Sequence, residues 1–177
     1  MKKFVSYSQA GQDQFVYDLL GPNGTFLDIG ASHPTEMSNT YGLELMGWRG
    51  ICVEIEHSLC ELLRQHRAPI TKIEEADATK ISYIGLTDMD YLSLDVDERT
   101  LEVLTRLPLA TARFKVITIE HDAYRFGDTL CIPEREILTK AGYVLVRPDV
   151  ANAATPTMAF EDWWVSSELE TKARSLP

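Results

Sequence analysis

Short continuous apolar runs alternate along this chain with longer stretches whose apolar residues recur at helical spacing. The runs fall at 25–29, 50–54, 70–73, 91–95, 115–120 and 143–147, and such runs are what parallel strands covered on both faces require. Helical spacing fills 8–20, 38–46, 58–66, 98–107 and 133–141. Ser8 is a candidate cap for the first of these helices, and Gly21-Pro22-Asn23-Gly24 closes it with a turn. Pro133 stands at an expected first-turn position, with Gly142 just past the end of its helix. Regular alternation of this kind predicts crossover units and an α/β fold, a doubly wound and mostly parallel sheet with helices on both faces.

The C-terminal part breaks the rhythm. A polar turn at Asn152-Ala153-Ala154-Thr155 separates the last long run from a short one at 157–160, too short for a crossover, which predicts an antiparallel hairpin ending the sheet. Residues 161–175 then read as a terminal helix with Trp163 and Trp164 near its start.

Composition narrows the partners. A chain of 177 residues, 45% hydrophobic, is within the range of one domain that buries its own core, so 1–177 reads as one unit, with 1–24 leading into it. A formal net charge of -10 with no basic block argues against nucleic acid, whose phosphates are bound by Lys and Arg, and favours a small or neutral substrate. No apolar run reaches membrane-spanning or signal-peptide length, so no membrane partner is expected. Cys52, Cys60 and Cys131 show no Cys-x-x-Cys spacing and read as reduced thiols, with Cys131 in a polar approach to a helix and the protein cytoplasmic.

Candidate chemistry lies at the strand exits. Phe26-Leu27-Asp28-Ile29-Gly30-Ala31 ends a strand in an acidic residue beside a glycine turn, and Ile51-Cys52-Val53-Glu54 ends the next in a second acid. That pairing grips adenosine-type cofactors in doubly wound sheets. A dinucleotide site wants Gly-x-Gly-x-x-Gly, but here only Gly30 is present, with Ser32 and Thr35 in the later glycine positions. Asp28 would repel a pyrophosphate, whereas it suits an ammonium or sulfonium, which favours S-adenosylmethionine over NAD. Glu54 is placed to accept hydrogen bonds from both ribose hydroxyls. Taken singly, Asp28 also reads as a helix cap and Glu54 as a solvated charge.

Ser8-Gln9-Ala10-Gly11-Gln12-Asp13, Phe26 to Ala31, Ser38-Asn39-Thr40, Gly47-Trp48-Arg49-Gly50-Ile51, Leu92-Ser93-Leu94-Asp95-Val96-Asp97 and Glu161-Asp162-Trp163-Trp164 occur in an order that resembles the FkbM-type methyltransferases. The resemblance spans nearly the whole chain. It implies the seven-stranded class I methyltransferase fold with an antiparallel C-terminal hairpin, and S-adenosylmethionine-dependent O-methylation of a small molecule or saccharide. Asp28 and Gly30, with Ala31, would then face the methionine portion, and Glu54 the ribose. Gln12 and Asn39 would close over the cofactor, or else cap and solvate their helices. Two departures stand out: many relatives follow Asp-Val-Glu with glycine where Glu98 stands here, and the second loop glycine is absent. Asp77 reads two ways, as the third-strand acid near the adenine amine or as a local cap. His33 reads as a ligand contact or a cap.

For the methyl-transfer step, the fourth and fifth strand ends offer Asp95, Asp97, Glu120, His121 and Asp122 as proton acceptors. His121 is attractive because imidazole titrates near neutrality, although a polar strand-end histidine bonded to a neighbour is the commoner arrangement. Two nearby carboxylates, Asp95 and Asp97, more often mark a solvated loop than a cation site, so no metal is expected. His57 and His66 read as surface residues, and the three tryptophans as core cover in preference to a stacking platform for a sugar. Two rivals remain at this point, a non-catalytic module binding S-adenosylmethionine or S-adenosylhomocysteine and an NAD-dependent oxidoreductase. A homo-oligomer whose second subunit covers the acceptor side is also open.

Overall fold

The structure, a computed structural model, describes residues 3–152 and 156–177, so the start at Met1-Lys2 and most of the turn expected at Asn152-Ala153-Ala154-Thr155 lie outside the described residues. Five strands, β1 (Thr25–Ile29), β2 (Arg49–Glu54), β3 (Lys72–Glu75), β4 (Met89–Leu94) and β5 (Phe114–Glu120), pair in parallel; β6 (Tyr143–Val150) and β7 (Glu161–Ser166) complete the sheet. Their order is β3-β2-β1-β4-β5-β7-β6, and β7 runs antiparallel to both of its neighbours. The chain reverses its winding direction between β1 and β4, the switch point at which an open α/β sheet opens a crevice beyond its strand ends.

Strand side chains alternate between two cores. Leu27, Ile29, Leu92, Leu94, Ile117, Ile119 and Trp164 face one way, toward α4 (Thr100–Arg106) and α6 (Asp128–Lys140). Phe26, Cys52, Tyr91, Val116, Trp163 and Val165 face the other, where α1 (Gln12–Leu20), α2 (Tyr41–Glu44), α3 (His57–His66) and α7 (Glu170–Ser175) supply Val16, Leu43, Leu63 and Ala173. The short α5 (Ala123–Phe126) leads into α6. Trp48, Trp163 and Trp164 are all buried, as core cover.

Several boundaries differ from the sequence expectation. Residues 161–166, read as the start of a helix, form β7: it lies between two strands, so Glu161 to Val165 are all buried and the run carries no alternation to betray a strand. The antiparallel hairpin is therefore present, but its second strand is β7 and not 157–160, and helix returns only at α7. The first helix starts at Gln12, not Ser8, after Gly11 in the left-handed region. Helix at 38–46 contracts to the four residues of α2, because the N-terminal segment packs onto it: a Cβ at Gly42 would lie 2.8 Å from the Val5 carbonyl oxygen. Pro133 lies inside α6, not in its first turn, since the helix already starts at Asp128 after Gly127. Cys131 is accordingly a buried helix residue, and all three cysteines are free and buried. The third strand is shifted two residues onward, to β3.

Candidate cofactor and active site

A cavity of about 540 Å³ opens at the C-terminal ends of β1, β2, β4 and β5, within the size range of a small-molecule site. Asp28, Gly30, Ala31, Asn39, Glu54, Asp77, Asp95 and Glu120 all line it, so eight residues singled out from the sequence meet in one place. Gln12, His33 and His121 do not line it.

Gly30 makes the closest backbone approach. Its φ is +84°, and an added Cβ would stand 1.6 Å from the Asp95 carbonyl oxygen. Its N–H and that of Ala31 both donate to Val53 O, at 2.9 and 3.2 Å, so the turn is sewn to β2. Ser32, at the missing second-glycine position, takes φ +51°, and so fills the role of that glycine. The other departure is absorbed similarly: Asp97, at φ +49°, turns the chain one residue before Glu98. Left-handed backbone costs a non-glycine residue roughly 1–2 kcal/mol, and Ser32, Met37, Asp97 and Asp122 all line the cavity in that state, a concentration of strain typical of binding sites.

Asp28 is buried and accepts the Thr40 hydroxyl at 2.6 Å. Burial raises its pKa, against the lowering effects of the Thr40 bond and the Arg67 charge. Asn39 donates from Nδ2 to Ser93 Oγ at 2.9 Å, while its Oδ1 is buried without a partner. Glu54 is already engaged: Oε1 accepts Ile55 N and Glu56 N at 2.8 and 2.9 Å, and Oε2 accepts Ser32 N at 2.8 Å. A carboxylate accepts about four hydrogen bonds, so one position on Oε2 is left, room for one hydroxyl and not two unless Ser32 N–H lets go. Asp77 caps its own turn through Thr79 N at 2.9 Å and Thr79 Oγ1 at 2.6 Å and pairs with Lys80 at 2.9 Å. The Thr79 and Lys80 bonds hold its carboxyl well below the usual carboxylate range, so the local cap is realised at the cavity wall.

At the other end lie Asp95, Asp97, Glu120 and Asp122. Burial and the neighbouring Asp95 and Asp122 carboxylates push Glu120 up to about 12, making it the protonated member of the group. Burial also raises Asp95, as do the Asp28, Asp97 and Asp122 charges, against the lowering effect of the hydrogen bond from Glu120. Arg125 sits across from them, donating to Asp122 Oδ2 at 2.8 Å and Asp97 Oδ1 at 3.1 Å. Phe160, Tyr124 and Asn152 close this wall; the first two were not singled out in the sequence, because they come from the hairpin and from α5, far along the chain from any strand-exit motif.

His121 points elsewhere. Its Nδ1 accepts Ala123 N at 3.1 Å, which in the neutral ring leaves the proton on Nε2. That Nε2 is buried, 3.4 Å from Asp162 Oδ1 and 3.8 Å from Asp149 Oδ1. His121, Cys131 and Asp162 bring ligand-type atoms within 4.8 Å of one another, but a protonated Nε2 offers no lone pair, and Arg135 already grips both Asp162 oxygens at 2.7 and 2.8 Å. His33 caps the following turn, accepting Glu36 N at 2.9 Å. Gln12 bridges to Glu161 at 3.1 Å. Gln9, brought over the cavity by the Ser8–Met37 bridge, lines it in place of Gln12.

No family model matches the chain, and no curated protein sequence does. Solved structures do resemble it. Magnesium protoporphyrin IX methyltransferase from Synechocystis, with bound SAM, has 15% identity over 90% of this chain and 79% of that one, with a TM-score of 0.63. A TehB-like SAM-dependent methyltransferase from Corynebacterium glutamicum shows 15% identity over 89% and 88%, with a TM-score of 0.60. A SAM-dependent O-methyltransferase from Thermotoga maritima shows 11% over 93% and 67%, again with a TM-score of 0.60. At such identities the likeness is one of architecture: the chain has the Rossmann-like fold of class I methyltransferases, with the antiparallel β7 inserted beside β5.

Proposed function

We propose that the chain is an S-adenosylmethionine-dependent methyltransferase acting on a hydroxyl of a small molecule or saccharide. The observation that carries this reading is the convergence of buried Asp28, turned Gly30 and Glu54 on one cavity at the switch point of a sheet whose fold matches solved methyltransferases. The residues fit the cofactor: Asp28 and the unpartnered Asn39 Oδ1 are acceptors for an ammonium, and Glu54 Oε2 for a ribose hydroxyl. A lone glycine beside a buried carboxylate fits a dinucleotide pyrophosphate poorly. FkbM-type membership rests on the ordered motifs alone.

S-adenosylmethionine, when bound, supplies an electrophilic methyl group on a sulfonium centre. Asp95 is the proton acceptor in this reading, replacing His121, whose ring lies outside the cavity. In transfer to a hydroxyl, Asp95 would take up the proton that the acceptor oxygen gives up. Glu120 keeps its proton and hydrogen-bonds Asp95, and Phe160 and Tyr124 line that end of the cavity. Among the described residues no helix is long and apolar enough to cross a membrane.

Incubation with S-adenosylmethionine carrying an isotopically labelled methyl group, against a panel of hydroxylated acceptors, tests the reading. Label transfer to an oxygen supports it. Label transfer to nitrogen or RNA alone contradicts the acceptor class, and binding without transfer to any acceptor favours the module.

A further inference from the structure

Arg67 follows α3 and is buried, yet its guanidinium sits 5.6 Å over the Phe26 ring and 5.9 Å from that of Tyr41, far from any solvent role. Glu44 holds it, at 3.1 Å from Nε, and is itself held by Ala68 N at 2.8 Å and by the Thr71 hydroxyl. An ion pair buried this deeply is expensive to maintain, so its arrangement calls for a purpose beyond stability. From this anchor Arg67 Nη2 donates to Thr40 Oγ1 at 2.9 Å, and Thr40 Oγ1 is 2.6 Å from Asp28 Oδ2. A guanidinium has only donors. Thr40 must therefore accept from Arg67 and send its one proton to Asp28.

A second arm repeats the pattern from the opposite side. Asn39 Nδ2 donates to Ser93 Oγ at 2.9 Å, and the Ser93 hydroxyl lowers the pKa of Asp28. Each hydroxyl receives an N–H from behind, and that of Thr40 sends its own hydrogen to the carboxyl group. We propose that Arg67, acting through Thr40, and Asn39, acting through Ser93, are positioning residues that orient the Asp28 carboxyl group at the wall of the cavity and oppose its protonation. Its use, to present a full negative charge to a cationic ligand group, rests on the cofactor reading above; the relay itself does not.

The relay opposes what burial does to Asp28. Burial is the largest influence on it and acts upward, and the other charged or titratable groups around it are mostly unhelpful: Glu54 and Cys52 from β2, Asp95 and Tyr91 from β4, and Glu44 behind Arg67. Arg67 is the cation of that set, and it reaches Asp28 by way of Thr40.

The test reads Asp28 in the free protein, from the pH dependence of its side-chain carboxyl carbon resonance, and separately measures S-adenosylhomocysteine affinity by calorimetry across the same pH range. Thr40→Val, which keeps shape and removes the hydroxyl, should raise the Asp28 midpoint by about one pH unit or more, and Thr40→Ser should restore it. Ser93→Ala should act in the same direction, and reads the second arm should Thr40→Val fail to fold. Arg67→Met combined with Glu44→Gln, which removes the Glu44 charge along with its partner, should raise the midpoint as well. Because the ligand needs the carboxylate, binding should be lost at a correspondingly higher pH in each variant. An Asp28 midpoint unchanged in Thr40→Val and Ser93→Ala, or a shift that Thr40→Ser fails to reverse, overturns the relay. If the wild-type protein binds no S-adenosylhomocysteine but the midpoints move as stated, the cofactor reading falls and the relay stands.

Discussion

The backbone of Gly30 is pressed against that of Asp95: a Cβ on residue 30 would lie 1.6 Å from the Asp95 carbonyl oxygen, and the glycine holds φ +84°. The exits of β1 and β4 are thus locked together through one missing side chain. Gly30→Ala should lower stability by at least about 2 kcal/mol in denaturant unfolding, combining left-handed strain with displacement of the β4 exit. It should also abolish S-adenosylhomocysteine binding. Wild-type stability and affinity would show that the two exits are not so coupled.

Glu54→Gln tests the proposed ribose contact: Gln still offers one oxygen to the Ile55 and Glu56 N–H groups, while its NH2 replaces the oxygen that accepts Ser32 N–H. Affinity for S-adenosylhomocysteine should fall about ten- to a hundred-fold in calorimetry, as a charge-assisted bond is lost. Glu54→Ala should reduce it further, and also lower the thermal midpoint by leaving three backbone donors unpaired.

Asp95 and His121 separate cleanly in kinetics. Asp95→Asn should reduce kcat about 10²- to 10⁴-fold with little change in KM for the acceptor, as expected for loss of a proton acceptor. His121→Asn, buried behind the cavity, should keep kcat within about three-fold while lowering the thermal midpoint. The reverse outcome would return the base role to His121.

Two buried glutamates give stability a definite dependence on pH. Burial pushes Glu134 and Glu161 from the ordinary 4.5 up to about 8, and neither Glu134 oxygen has a hydrogen-bond partner. The folded state then holds protons that the unfolded state releases, so their contribution is full below about pH 4.5 and is lost as pH rises through 8. Each group tilts stability downward by at most about 1.4 kcal/mol per pH unit within that window. Glu134→Gln and Glu161→Gln should each flatten the decline measured by urea unfolding between pH 5 and 8.

Parallel strands and their exits were legible because a strand buried on both faces is a plain apolar run, and because Asp28 and Glu54 interrupt those runs at the very point where the crevice opens. The hairpin was legible in kind but misplaced, since β7 is buried on both faces and its Glu161-Asp162-Trp163-Trp164 start mimics a helix. His121 and Gln12 were assigned to the site by chemistry and motif alone; neither tells from sequence which way a ring or amide turns, and Ala123 N and Glu161 turn them away. Arg67 was invisible for a related reason. Its partners Glu44 and Thr40 lie more than twenty residues before it, and only folding brings that pair against Asp28.

The central claim, that the cavity at the ends of β1, β2 and β4 binds S-adenosylmethionine through Asp28 and Glu54, is tested most directly by calorimetric titration of S-adenosylhomocysteine into the wild-type protein and its Asp28→Asn variant. The account predicts saturable one-to-one binding in the wild type and a loss of at least about ten-fold in affinity in the folded variant. No binding by the wild type, or equal affinity in Asp28→Asn, would contradict it.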